Sequence, residues 1–160
     1  MEAIVAVFED WGIGAEGTQP LVVAADRARF RTLTDGGTVI VGRKTLADFP
    51  NGKPLKNRRN IVLTHRSAPI EDALVAHSAE EAAALAGDDA FVIGGASVYR
   101  ALLPYCTRVR VTKIFANLQS DRYFPNLDED DAWRIEQAGE VLSEDGVRYQ
   151  FVDYIRADAR

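Results

Sequence analysis

The sequence predicts an α/β fold, a mainly parallel sheet covered by helices on both faces. Three observations carry this. Short apolar runs alternate with helix-patterned stretches along most of the 160 residues. Two of those runs pass through glycine straight into a helix, at Thr38–Thr45 and at Phe91–Tyr99. Towards the C-terminus, Trp133–Leu142 and Val147–Ile155 flank Asp145-Gly146 as a β-hairpin, which adds antiparallel strands to the sheet.

Taken in order, Ile4–Phe8 is a short apolar first strand. A long loop, Glu9–Val23, carries glycine hinges and the apolar anchors Trp11 and Ile13. Loops of this length in compact domains are functional or disordered, so it reads either as a lid or as a pinned surface loop. A helix follows from Ala25 to Leu33, then a Gly36-Gly37 turn, a strand Thr38–Val41 and a helix from Lys44 to about Phe49. Asn60–Thr64 and Ala73–Ala76 are further strands. Ser78-Ala79-Glu80-Glu81 is a capping box opening an alanine-rich helix that Gly87 closes. Phe91–Ile93 is a buried strand, Ser97–Leu103 a helix stopped by Pro104, and Thr107–Phe115 an alternating strand before the hairpin.

The totals set bounds. A chain of this length buries a core without metal or disulfide staples, and reads as one domain over 1–160. A net charge of −5 argues against general affinity for nucleic acid. No apolar run reaches membrane-spanning length, and Met1-Glu2-Ala3-Ile4 lacks the basic start of a secretory signal. The single cysteine, Cys106, reads as a small buried apolar residue and fits a reducing compartment, so a cytoplasmic location is expected. One basic patch stands out, Lys53, Lys56, Arg58 and Arg59, followed by His65 and Arg66; it steers anions if it is more than a solvated loop.

Two features hold chemistry. The paired strand–glycine–helix junctions offer close backbone approach and free N–H groups to the two halves of a dinucleotide pyrophosphate, with Arg43 inside the first. Neither carries the full dinucleotide fingerprint, and each alone is a common α/β turn. The second feature is Asp26. Phe30 lies at i+4, and Leu33 or Thr34 follows on the same face, so Asp26 lies against the core beside an aromatic ring. A carboxylate buried there is hard to ionise; it suits an amidine-like edge or proton supply. The same residue also fits a helix cap, the commoner role for Asp near a helix start. Neither a nucleophile triad nor metal-ligand spacing is present: the only histidines are His65 and His77, and no metal is expected.

In order, these pieces resemble the dihydrofolate reductase family. The matching motifs are Ile4-Val5-Ala6-Val7, Gly12-Ile13-Gly14, Pro20 with Ala25-Asp26 and Phe30, Thr34, Val41-Gly42-Arg43-Lys44-Thr45, Arg58 to Thr64, Val92 to Tyr99, and Thr112 before Asp121 and Phe124-Pro125. Their joint order spans essentially the whole chain. The resemblance implies an eight-stranded, mainly parallel sheet and NADPH-dependent reduction of 7,8-dihydrofolate, with dihydrofolate and antifolates as ligands and a monomer as the unit. Asp26 is implied as the group that holds the 2-amino and ring nitrogen edge of the pterin and supports protonation at N5. Ile4, Phe30, Phe49 and Ile93 are implied to pack on the ligand rings, with Leu55 also bordering the substrate. Thr112 hydrogen-bonds Asp26 and the pterin amino group through water, and Arg58 pairs with the glutamate carboxylate. Ala6, Ile13, Gly14 and Thr18 border the nicotinamide. Gly42, Arg43, Lys44, Thr45, Leu63, Thr64, His65 and Arg66 grip the adenosine half, favouring NADPH over NADH. Gly94, Gly95, Ala96, Ser97, Val98 and Tyr99 cover the pyrophosphate.

Two positions depart from the family pattern. Leu21 stands where a tryptophan usually follows the loop proline. Arg27 replaces an apolar residue beside Asp26 and is expected either to swing to solvent beside Arg31 or to reach toward the folate tail. A pyrimidine reductase of the same fold lacks an acidic clamp on the first helix, so Asp26 with Phe30 argues against it. A non-catalytic nucleotide-binding or antifolate-sequestering module is suggested by Leu21 and Arg27 alone.

Overall fold

The structure is a computed structural model describing residues 1–14 and 21–158. Strands β1 (Glu2–Val7), β3 (Thr38–Gly42), β4 (Arg59–Leu63), β5 (Ala73–Ala76), β6 (Ala90–Gly94) and β7 (Arg108–Ile114) pair in parallel, and β11 (Val147–Arg156) closes antiparallel on β7. With β10 (Leu142–Glu144) at the edge, the order is β10-β11-β7-β1-β6-β3-β4-β5, the expected eight; β9 (Trp133–Ala138) also pairs with β11.

Burial explains why parallel strands form here. β3 is buried continuously from Val39 to Gly42, as a strand covered on both sides must be. Alternate residues point to opposite layers. Ile40 and Ile61 join Val5, Ala82, Val98 and Leu102 on the side of α3 (Ala79–Ala86) and α4 (Ala96–Leu102). Val41 and Val62 join Leu46 of α2 (Arg43–Ala47) on the other. Phe8 and Ile114 form a further cluster there, against which Leu21 and Ala25 pack. Ala25 begins the layer of α1 (Ala24–Thr34). Cys106 is buried, its thiol donating to Leu102 O at 3.4 Å and pushed up to about 11 by that burial.

Several expectations shift. The Glu9–Val23 segment contains a short strand, β2 (Gly12–Gly14), which pairs with β8 (Arg122–Tyr123). Asp121 N–H donates to Gly14 O and Phe124 N–H to Trp11 O, both at 2.9 Å, so residues 9–14 are tied to the 120–124 segment. The rest of the candidate lid, including Thr18 and Pro20, lies outside the described residues. The first half of the hairpin breaks into β9 and β10: Gly139 N–H still donates to Phe151 O, one step past the Ala138–Val152 pair, but pairing resumes only at Leu142 opposite Tyr149, three steps on that side against two on β11. Asp145 and Gly146 both take positive φ, as a two-residue hairpin turn requires. Ser78 caps α3 by accepting from Glu81 N–H, while the Glu81 carboxylate reaches His77 N–H rather than the cap residue itself.

Candidate active site

The chain leaves β1 towards β3 on one side and enters β7 from β6 on the other, so the connections diverge between β1 and β6. Crevices open at such switch points beyond the carboxyl ends of the strands. A cavity of about 180 Å³ lies there, lined by Ile4, Val5 and Ala6 of β1, Ile93 of β6, Asp26, Arg27 and Phe30 of α1, and Tyr99 of α4. A larger hollow of about 730 Å³ lies elsewhere, among Arg100, Trp133, Asp130 and Arg156. Its size reflects an open surface, and none of the expected site residues borders it.

Asp26 occupies the third position of α1, and Thr112 Oγ1 donates to its Oδ1 at 2.5 Å. Burial raises the Asp26 carboxyl above the ordinary Asp value; the Thr112 hydrogen bond and the charges of Arg29 and Arg27 oppose that. Capping of α1 falls to another residue: Glu144 accepts from Ala24 N–H at 2.6 Å and from Ala25 N–H at 3.2 Å. The helix start is satisfied from β10, leaving Asp26 for the cavity. Tyr99 is buried, and its hydroxyl donates to Ile4 O at 2.6 Å. That fixes the wall of the cavity and puts Tyr99 beside Asp26, away from the exposed Ser97 of the same helix.

Arg27 is exposed yet lines the cavity, so its stem forms part of the mouth. Phe49, Leu55 and Arg58 lie outside the lining. Phe49 and Ile93 pack on the Val41 and Leu46 cluster. Arg58 Nε donates to Thr34 Oγ1 at 3.1 Å, and Thr34 in turn donates to Phe30 O. Asp26 and Thr34 are eight residues apart on α1, or about 12 Å along the helix axis. The carboxylate and the guanidinium thus stand towards opposite ends of α1, Asp26 in the cavity and Arg58 beyond its lining. Asn60 braces the arginine loop: its amide bonds Leu55 in both directions and donates to Arg58 O. An amide within a buried strand was the local signal for that role.

The two glycine junctions meet. Val41 pairs with Gly94, so the ends of β3 and β6 are neighbours. A Cβ on Gly42 would stand 2.9 Å from Val98 Cγ2, and one on Gly95 2.9 Å from Thr45 Oγ1. Glycine is needed at both for the loops to close on each other. The Gly94–Gly95 peptide is cis, and Gly94 has φ +124. Ala96 and Val98 are buried beneath, and Ser97 is exposed.

Gly42 also pairs with Leu63, which brings Arg43 and Lys44 beside Thr64, His65 and Arg66. Thr64 Oγ1 accepts from Arg66 N–H at 3.1 Å, shaping that turn. Ala6 and Ile13 are half-buried, with Gly14 buried, at the inner end. Among the described residues, no group of three His, Cys, Asp or Glu gathers as a metal site, and no helix is long and apolar enough to cross a membrane.

The arrangement has counterparts. The family profile described as "Dihydrofolate reductase" matches residues 1–156. Dihydrofolate reductase of Neisseria meningitidis serogroup B is 36% identical over 156 residues, 96% of each chain. That of Mycobacterium tuberculosis is 38% identical over 150 residues, 91% of each. A solved structure of dihydrofolate reductase from Enterococcus faecalis, complexed with NADP(H) and RAB-propyl, superposes with a TM-score of 0.87 at 31% identity, covering 98% of this chain and 96% of that one. Sequence, cleft and topology agree, and the chain belongs to the dihydrofolate reductase family.

Proposed function

We propose that this chain reduces 7,8-dihydrofolate to 5,6,7,8-tetrahydrofolate with NADPH. The observation that carries the reading is Asp26, a half-buried carboxylate in an otherwise mostly apolar cavity, oriented by Thr112. A carboxylate so placed suits the 2-amino and ring nitrogen edge of a pterin through paired hydrogen bonds. Its raised affinity for a proton suits delivery towards N5, because a general acid works best when its pKa approaches the working pH.

The groove gives each other residue a role. Ile4, Phe30 and Ile93 sandwich the ring and exclude water, with Phe49 and Leu55 flanking the aminobenzoyl part. Arg58, turned by Thr34 and braced by Asn60, pairs bidentately with the glutamate carboxylate about two helical turns from Asp26. Arg27 extends the mouth.

The donor set fits NADPH. Arg43, Lys44, Thr64, His65 and Arg66 at the ends of β3 and β4 offer cationic and hydroxyl groups for a 2′-phosphate. Gly42 and Thr45, with Gly94 to Val98, form the neighbouring backbone cradle for a pyrophosphate. Ala6, Ile13 and Gly14, with Thr18, border the nicotinamide end, and Leu63 supports the adenosine side. Bound NADPH supplies the hydride; the protein holds the rings in line and keeps water out. The proposed unit is a monomer, with dihydrofolate and antifolates as its ligands. The lone buried Cys106 supports a cytoplasmic location.

Loss of NADPH absorbance on adding dihydrofolate tests the reading. Asp26→Asn is expected to slow turnover at pH 7 by about 100-fold or more. Wild-type protein that oxidises no NADPH with dihydrofolate would sink it.

A further inference from the structure

Three residues after Asp26, Arg29 is held from two directions. Its Nη2 donates to Asp153 Oδ1 at 3.0 Å, and its guanidinium carbon lies 4.4 Å from the centre of the Phe151 ring. Asp153, in β11, is only 7% exposed. Its other oxygen accepts from Arg110 Nη1 at 3.1 Å, and Arg110 Nε donates to Glu2 at 2.8 Å. The chain Arg29–Asp153–Arg110–Glu2 runs from α1 across β11 and β7 to β1, with its charges balanced in sign. Side chains three apart on a helix are neighbours, with Cβ atoms about 5–6 Å apart. Phe151, over which the Arg29 guanidinium lies, pairs in register with Thr112, the residue that bonds Asp26, so the pinned charge acts on the Asp26 carboxylate.

We propose that Arg29, pinned by Asp153 and Phe151, is a positioning residue that sets how readily Asp26 gives up its proton. The inference rests on the reading of Asp26 as the pterin-facing acid. From α1 itself, Arg27 and Arg29 face that carboxylate, and both favour its charged form. Arg27 is exposed and screened by solvent, whereas Arg29 is fixed between a buried aspartate and an aromatic ring, so its field persists. Thr112 meets Asp26 from β7, and Tyr99 from α4 stands neutral with its hydroxyl committed to Ile4 O. Glu144 sits at the head of α1. Asp153 counterbalances Arg29: removing the arginine's charge makes Asp26 harder to ionise, and removing the aspartate's makes it easier. A purely structural bridge would lower the melting temperature in both variants and displace neither titration.

Carboxyl 13C titration of the ligand-free protein tests this, the Asp26 signal being identified by its loss in Asp26→Asn. In Arg29→Met the Asp26 midpoint moves up by about half a pH unit. In Arg29→Lys it stays, and in Asp153→Asn it moves down by less. The high-pH limb of single-turnover NADPH oxidation by dihydrofolate moves in the same order. An Arg29→Met midpoint equal to wild type, or equal shifts in Arg29→Met and Arg29→Lys, overturns the proposal. So do Arg29→Met and Asp153→Asn displacements of one sign. If Asp153→Asn does not fold, the two Arg29 variants decide. Full turnover by Asp26→Asn would overturn the assignment of Asp26 instead, while the titration still judges Arg29.

Discussion

In the proposed reaction the placement of Asp26 pairs a functional gain with a stability loss. Because burial raises its proton affinity in the folded state, the native protein binds the proton more tightly than the unfolded chain does. Stability therefore falls as pH rises from the ordinary Asp value through the raised native one. Asp26→Asn keeps an acceptor for Thr112 while removing the buried charge. The variant should lose turnover yet melt about 2 °C higher than wild type at pH 7, with the difference shrinking in acid; calorimetry at both pH values checks this. Tyr99 is the opposite case, a group that stabilises what it touches. Its hydroxyl, held neutral by burial and the nearby Asp26, satisfies the Ile4 carbonyl at 2.6 Å. Tyr99→Phe leaves that carbonyl unpaired and should lower stability by about 1–2 kcal/mol in urea unfolding. It should also raise KM for dihydrofolate more than it changes kcat, since Ile4 borders the ring slot.

At the scale of elements, α1 decides the site. Its N-terminal cap residue, Val23, has no side-chain acceptor, so the helix relies on Glu144 from β10. Glu144→Ala should cost about 1 kcal/mol, a drop of about 2–4 °C in Tm, and raise KM for dihydrofolate as the first turn frays. Glu144→Gln should recover part of both, because one amide oxygen still accepts; an unchanged Tm in Glu144→Ala would refute the cap. Local sequence around α1 could not reveal this, because the partner lies 119 and 120 residues away. The helix itself was legible, since Asp26, Phe30 and Thr34 fall at spacings of four. So were both glycine junctions. How they meet became clear only from the parallel pairing of β3 with β6, which makes them one structure in which Gly42 abuts Val98 and Gly95 abuts Thr45.

Across the whole molecule, charge ties the sheet to its peripheral turns. Asp128, in the turn Leu127–Glu129, accepts from Lys113 of β7 and from the Tyr154 hydroxyl of β11. Burial works to raise its carboxyl, but these hydrogen bonds and the Lys113 charge prevail and lower it. A depressed carboxyl contributes stability above the ordinary Asp value and loses it as pH falls through the native one. Asp128→Asn should therefore be less stable than wild type at pH 7 and lose less between pH 6 and about pH 2, followed by thermal unfolding.

The α/β class, the order of the main elements, the candidate roles of Asp26, Phe30 and Arg58, and the glycines where backbones must approach can all be read from the chain alone. Period, spacing and turn chemistry act between near neighbours and are written locally. The tertiary structure decided where Asp26 stands: a cap in local terms, it lines the cavity in the fold, because Glu144 takes the helix start and Thr112 takes one carboxylate oxygen. It also decided that the C-terminal strands break at Gly139, and that Arg29 faces Asp153. Those outcomes depend on contacts between residues far apart in the chain, which only the assembled sheet brings within hydrogen-bonding distance.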